Sequence, residues 1–154
     1  MFSTQEIQQI VQVMRPVMYQ AGYIALQHFK RVKVERKADH SYVTAADRDV
    51  ERFIRQAIHH HYPHHGFIGE ETGRQVLDDV EYVWAVDPID GTAPFIFDLP
   101  VWAISVGLIH RTRGMVGMVY LPALNDLYWA MDGEPAYLND RPIQVSAPVE
   151  LNHH

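Results

Sequence analysis

Residues 84–92, WAVDPIDGT, set a short apolar run against two aspartates, a proline and a glycine. The residues from Val83 to Val86 have the bulk and β-branching of a buried strand, which delivers Asp87 at its carboxyl end. Pro88 offers no N–H to a ladder and stops the pairing there. Asp90-Gly91 is a tight-turn dipeptide, and Thr92 caps a short helix with Pro94 in its first turn. The stretch therefore predicts strand, sharp turn and helix start. Two carboxylates meet at the turn, and the free N–H groups of the helix start point the same way.

The flanking sequence supplies helices on one side and strands on the other. Upstream, GFIGEETG (66–73) is a second short apolar strand running into acids, Glu70 and Glu71. HYPHHG (61–66) ends a helix that starts behind Thr44, with Asp47 at its third position and Val50, Phe53, Ile54, Ala57 and Ile58 on its buried face. VKVERK (32–37) alternates as a short strand, with a polar turn, ADHS, behind it. Ser3-x-x-Glu6 is a capping box opening a helix over 4–30, whose Ile7, Ile10, Val11, Met14, Met18, Ala21, Ile24 and Ala25 recur at helical spacing. Pro16 predicts a kink or a break in it. Downstream, 101–109, 115–121, 127–131 and 135–139 are apolar, aromatic and β-branched, divided by RTRG, PALND and DGE. The fold class is α+β, two N-terminal helices packed on a largely antiparallel sheet.

The chemistry has two readings. Carboxylates with no Cys or clean His pair are hard oxygen ligands suited to Mg²⁺, and N–H groups at a helix start suit phosphate, which together imply Mg²⁺-dependent phosphoryl chemistry. The plainer reading is that Asp-Pro and Asp-Gly are common turn dipeptides, GEE a solvated turn, Thr44-x-x-Asp47 a capping box and Lys37 a surface lysine. The alternating acids and distal Glu of an EF-hand are absent. His59, His60, His61, His64 and His65 read as a solvated helix end, since consecutive residues cannot face one ion from a helix.

Composition narrows the class. The 154 residues suffice for one domain with a sizeable core. A formal net charge of −6 argues against general affinity for nucleic acid or anionic membrane. With no cysteine, disulfides, zinc–thiolate sites and thiol catalysis are excluded. No apolar run reaches the roughly 20 residues of a membrane helix, and the first residues lack the pattern of a secretory signal, so a cytoplasmic protein is expected.

KADHSYVTAAD (37–47), GFIGEETG (66–73) and WAVDPIDGT (84–92), in this order and spacing, resemble the inositol monophosphatase-like family of Mg²⁺-dependent phosphatases. The resemblance covers residues 5–147. It implies that Glu70, Asp87 and the Ile89 carbonyl bind a first Mg²⁺, with Asp87 bridging to a second that Asp90 also holds. Gly91 and Thr92 would bind phosphate through backbone N–H groups, and Thr92, hydrogen-bonded to Asp47, would orient or deprotonate the attacking water. Glu71 would stand beside the cluster and Lys37 near the phosphate or a third metal. The implied partners are a small phosphorylated metabolite and a second copy of the chain, since family members are commonly dimers.

Two departures bear on that expectation. After DGT the chain has Ala93-Pro94-Phe95 where inositol-specific members usually have Thr-Asn-Phe or a similar run; with HSYVTAAD (40–47) and Leu-Pro-x-Trp (99–102) this looks more like the histidinol-phosphatase-like or uncharacterised branches. The W-D-x-A-A-type motif of the family's second domain has no counterpart beside Trp84, Trp102 or Trp129. Residues 1–154 are thus expected to form one domain resembling the N-terminal, metal-binding half, with an apolar face left bare and the C-terminal substrate domain absent. A metal- or phosphate-binding remnant without turnover is the alternative to a hydrolase.

Overall fold

The computed structural model describes residues 2–31, 34–36, 42–75 and 80–146. Helix α1 (Thr4–His28) starts where the capping box places it: Ser3 N–H donates to Glu6 Oε2 at 2.7 Å, and Glu6 N–H to Ser3 Oγ at 3.3 Å. Pro16 does not break it, and the helix runs on for three more turns. Proline inside a helix costs about 3 kcal/mol, but Met14, Val17 and Met18 around it are buried, at about 1.5–3 kcal/mol for each large side chain. Packing outweighs the local penalty, and the exposed ring of Pro16 lies on the solvent side.

The two short strands β1 (Val34–Arg36) and β2 (Tyr42–Thr44) pair antiparallel, and Thr44 passes directly into helix α2 (Ala45–His61). Thr44 and Asp47 form the second capping box, with Thr44 N–H donating to Asp47 Oδ2 at 2.8 Å and Ala46 N–H to Thr44 Oγ1 at 3.1 Å. The remaining elements are β3 (Gly66–Gly69), β4 (Gly73–Gln75), β5 (Tyr82–Asp90), α3 (Thr92–Ile96), β6 (Ala103–His110), β7 (Arg113–Leu121), β8 (Asp126–Met131), β9 (Ala136–Leu138) and β10 (Arg141–Ile143). They build one eight-stranded sheet in the order β10-β9-β8-β7-β6-β5-β3-β4. Every neighbouring pair in it is antiparallel except β3–β5, which is parallel. The α+β reading therefore holds. Three strands escaped it, β2, β4 and β10, each three residues long and too short to show alternation.

Both long helices cover one face of the sheet. Met14 and Met18 of α1, Val50 and Ile54 of α2, and Trp84, Val106, Leu108 and Met118 of the sheet share one core. Side chains alternate along a strand, so Trp84 and Val86 face the helices while Ala85 and Asp87 face away. The cross-strand partners of that second pair are Gly107 and Ser105, which continue to Gly117 and Val119 on β7. This open face holds a groove of about 490 Å³, lined by Ile68, Ala85, Ser105, Gly107, Gly117 and Val119 among others. Phe97, Leu99 and Val101, behind α3, are also exposed. No helix of the described residues is long and apolar enough to cross a membrane.

Candidate active site

Parallel pairing of β3 with β5 places two acids side by side. The register sets Gly69 beside Val86, and Glu70 N–H donates to Val86 O at 3.2 Å, so Glu70 and Asp87 leave adjacent strands at the same end. Ile68 lies on the open face and Gly69 on the helix side, hence Glu70 returns to the open face, where Asp87 stands.

Asp90 reaches the same face by a bulge. Asp87 pairs with Ser105 and Asp90 with Ala103, so β5 takes three steps where β6 takes two. Pro88 does not end the strand, as its missing N–H suggested; the bulge absorbs it and pairing resumes at Asp90. The extra residue is released from the ladder, and the Ile89 carbonyl accepts the Thr92 hydroxyl at 3.2 Å instead. Asp90 is exposed and accepts from Ser105 Oγ at 3.4 Å.

Glu70 lies within hydrogen-bonding reach of Asp87. Burial, that contact, and the charges of Glu70 and Asp90 push the Asp87 carboxyl up to about 7 from 3.8. Asp87 Oδ1 is buried without a hydrogen-bond partner. A half-buried acid with an orphaned oxygen, pressed against other acids, fits a hard divalent cation, which would supply the missing positive charge. Among the described residues no three His, Asp or Glu side chains converge on one point as they stand.

Asp47 belongs to the same electrostatic neighbourhood. It is fully buried, and burial raises its carboxyl above the usual range, with Glu70's charge adding to the effect and the bonds from Thr44 opposing it. Its Oδ2 accepts from the Thr44 backbone and hydroxyl, while Oδ1 is buried and unpartnered. The hydrogen bond expected between Thr92 and Asp47 is not made: the Thr92 hydroxyl donates to the Ile89 carbonyl, and Asp47 accepts from Thr44. Nor does Thr92 cap α3. Gly91 holds the cap position at φ 92°, a left-handed conformation that glycine adopts without strain, and Thr92 is the first helical residue. Glu71 adjoins the site in the turn after Glu70, and Lys37 lies outside the described residues.

Three residues were missed. Glu51 of α2 is 1% exposed and accepts from Glu71 N–H at 2.7 Å and Thr72 N–H at 3.0 Å. Gly69 leaves room for that carboxylate, as a Cβ there would lie 2.4 Å from Glu51 Cδ. Ser105 is the third, on Asp90. An acid four residues after Asp47, on the face that α2 buries, was the available signal for Glu51. His65 also departs from expectation: it is half-buried, accepts from Trp84 Nε1 at 3.0 Å, and stacks on Tyr62 and Tyr82, so it is packed rather than part of a solvated helix end.

Residues 6–154 match the inositol monophosphatase family, over almost the whole chain. The chain belongs to that family. It is 41% identical over 121 residues to a putative Nus factor SuhB of Neisseria meningitidis, an alignment covering 79% of this chain and 46% of the relative. Among solved structures it is similar to the extragenic suppressor protein suhB of Bartonella henselae, with a TM-score of 0.86 and 30% identity over 91% of this chain and 55% of that one. It is also similar to an IMPase/NADP phosphatase complexed with Mg²⁺ and phosphate, with a TM-score of 0.81 and 25% identity over 89% of this chain and 53% of that one. The chain thus spans about half the length of the relatives it matches.

Proposed function

We propose that this chain carries the metal-binding part of a Mg²⁺-dependent phosphomonoester hydrolase. Its substrate is a small phosphorylated metabolite of the inositol-phosphate or histidinol-phosphate kind. The observation that carries the reading is the Glu70–Asp87 pair at the ends of two parallel strands, with Asp87 Oδ1 lacking a partner. Family membership supports the reaction class, and the similar phosphatase holding Mg²⁺ and phosphate supports the ion.

Glu70, Asp87, Asp90 and the Ile89 carbonyl would hold the cation, and the backbone N–H groups of Gly91 and Thr92 would orient the phosphate. A bound divalent cation neutralises the phosphate's charge and lowers the pKa of a coordinated water. Asp47 would be the proton acceptor: Thr44 ties down Oδ2 and fixes the carboxylate, leaving Oδ1 without a partner. No nucleophilic side chain is required.

A second reading, cation and phosphate binding without turnover, is favoured by one observation: the chain spans about half the length of the relatives it matches. Phosphate release from inositol phosphate, histidinol phosphate and an aryl phosphate, with and without Mg²⁺, separates the two. Release that needs Mg²⁺ and is abolished in Asp90→Asn establishes the hydrolase. Mg²⁺ binding without release establishes the second reading, and absence of Mg²⁺ binding overturns both.

A further inference from the structure

Glu51 sits in a layer where an acid is costly. It is one position from the apolar stripe of α2, 1% exposed, between the helix and the sheet. Its two donors both come from the turn immediately after Glu70: Glu71 N–H binds Oε2 at 2.7 Å and Thr72 N–H binds Oε1 at 3.0 Å. On the other flank the Glu70 N–H is held by Val86 O at 3.2 Å. The Glu70 peptide is therefore gripped from both sides, by β5 in front and by Glu51 behind. Gly69 is the second, independent mark of the same design. Its side chain would point to the helix layer, and the Glu51 carboxylate occupies the volume where a Cβ would stand.

We infer that Glu51 is a positioning residue, which fixes the turn 70–72 so that the Glu70 carboxyl stays against Asp87, and which touches neither cation nor phosphate itself. The inference rests on the metal-site reading above. The chemistry selects a carboxylate. Two N–H groups converging from one segment need two acceptor oxygens; glutamine offers one and turns its own N–H₂ on the other donor, and an apolar residue satisfies neither. Preorganised ligands bind an ion more tightly because their ordering precedes its arrival.

The test is Mn²⁺ binding by the full chain, followed through the electron paramagnetic resonance signal of the free ion. The variants are Glu51→Gln, Glu70→Gln, the double variant, and Ile54→Val as a buried control on the same helix. Glu51→Gln is expected to weaken Mn²⁺ binding by about 10- to 100-fold, and Ile54→Val to leave it unchanged. In the Glu70→Gln background, Glu51→Gln should change affinity by less than about twofold, since its effect passes through Glu70. Glu51→Asp keeps both acceptors but withdraws them by one methylene. It is expected to fall between wild type and Glu51→Gln, and it carries the same cycle if Glu51→Gln does not fold. Wild-type affinity in Glu51→Gln and Glu51→Asp overturns the inference alone. So does an undiminished effect in the Glu70→Gln background, or an equal loss in an Ile54→Val chain of matched melting temperature. A wild-type chain that does not bind Mn²⁺ overturns the metal-site reading, and the inference with it.

Discussion

Replacing Asp87 by asparagine should make the metal-free protein more stable. Lifting the carboxyl from 3.8 to about 7 corresponds to about 4 kcal/mol of unfavourable work in keeping it ionised, at 1.36 kcal/mol for each tenfold. The group is only half-buried, and solvent screening reduces the figure to about 2 kcal/mol. Asparagine removes the charge, and its amide donates to Glu70 instead of opposing it. The sign follows from linkage. The folded pKa lies above the unfolded one, so Asp87's contribution to stability is fully present below about pH 4 and is lost as pH rises through about 7. Asp87→Asn lacks that loss. In EDTA at about pH 8 it should melt about 4–8 °C above wild type, given about 2–4 °C per kcal/mol for a domain of this size. The gap should close towards about pH 4. Millimolar Mg²⁺ should raise the melting temperature of wild type and not of the variant, since an ion stabilises only the state that binds it. Thermal melts followed by circular dichroism read all of this. An Asp87→Asn chain that melts below wild type in EDTA, or a gap equal at both ends of the pH range, would refute the reasoning.

Two further outcomes follow from packing. Burial and the neighbouring His64 hold His65 below its usual range, and protonation would turn Nδ1 into a donor facing the Trp84 donor. Its contribution is therefore present above about pH 6.5 and lost as pH falls through the lower folded value; a His65→Phe chain should show a shallower acid loss of melting temperature, and an unchanged slope would contradict this. Gly22→Ala would ordinarily favour a helix by about 1 kcal/mol, yet here the new Cβ would stand 2.3 Å from Tyr120 Cε1 and 3.0 Å from Pro122 Cγ. The Tyr120 ring is buried and tied to Asn125 at 3.0 Å, so a destabilisation of about 1–3 kcal/mol is expected in denaturant melts, and a gain would be inconsistent with the packing.

What was legible in the sequence was local. Ser3–Glu6 and Thr44–Asp47 are each closed within four residues, and both capping boxes stand as read. The three motifs that carry the family resemblance were visible for the same reason. The bulge was not, because Pro88 says only that a ladder loses a donor there; whether pairing resumes depends on Ala103 of β6. Thr92 looked like a cap until the left-handed Gly91 took the position. Glu51 escaped because its partners lie 20 and 21 residues away, and helical periodicity alone treats an acid beside a buried stripe as its rim. His65 escaped because its partner, Trp84, lies 19 residues on, and its histidine neighbours are indeed solvated.

Two of the strands that the sequence did not reveal, β4 and β10, are the edges of the eight-stranded sheet among the described residues. Among the described residues each offers another chain a three-residue template, and the exposed Pro142 removes one N–H from β10 altogether. Arg74 and Arg141 add exposed positive charge at the two margins, so an identical molecule approaching edge to edge meets like charge. Open-ended strand exchange, the route by which sheets grow into aggregates, is thus blunted at both ends.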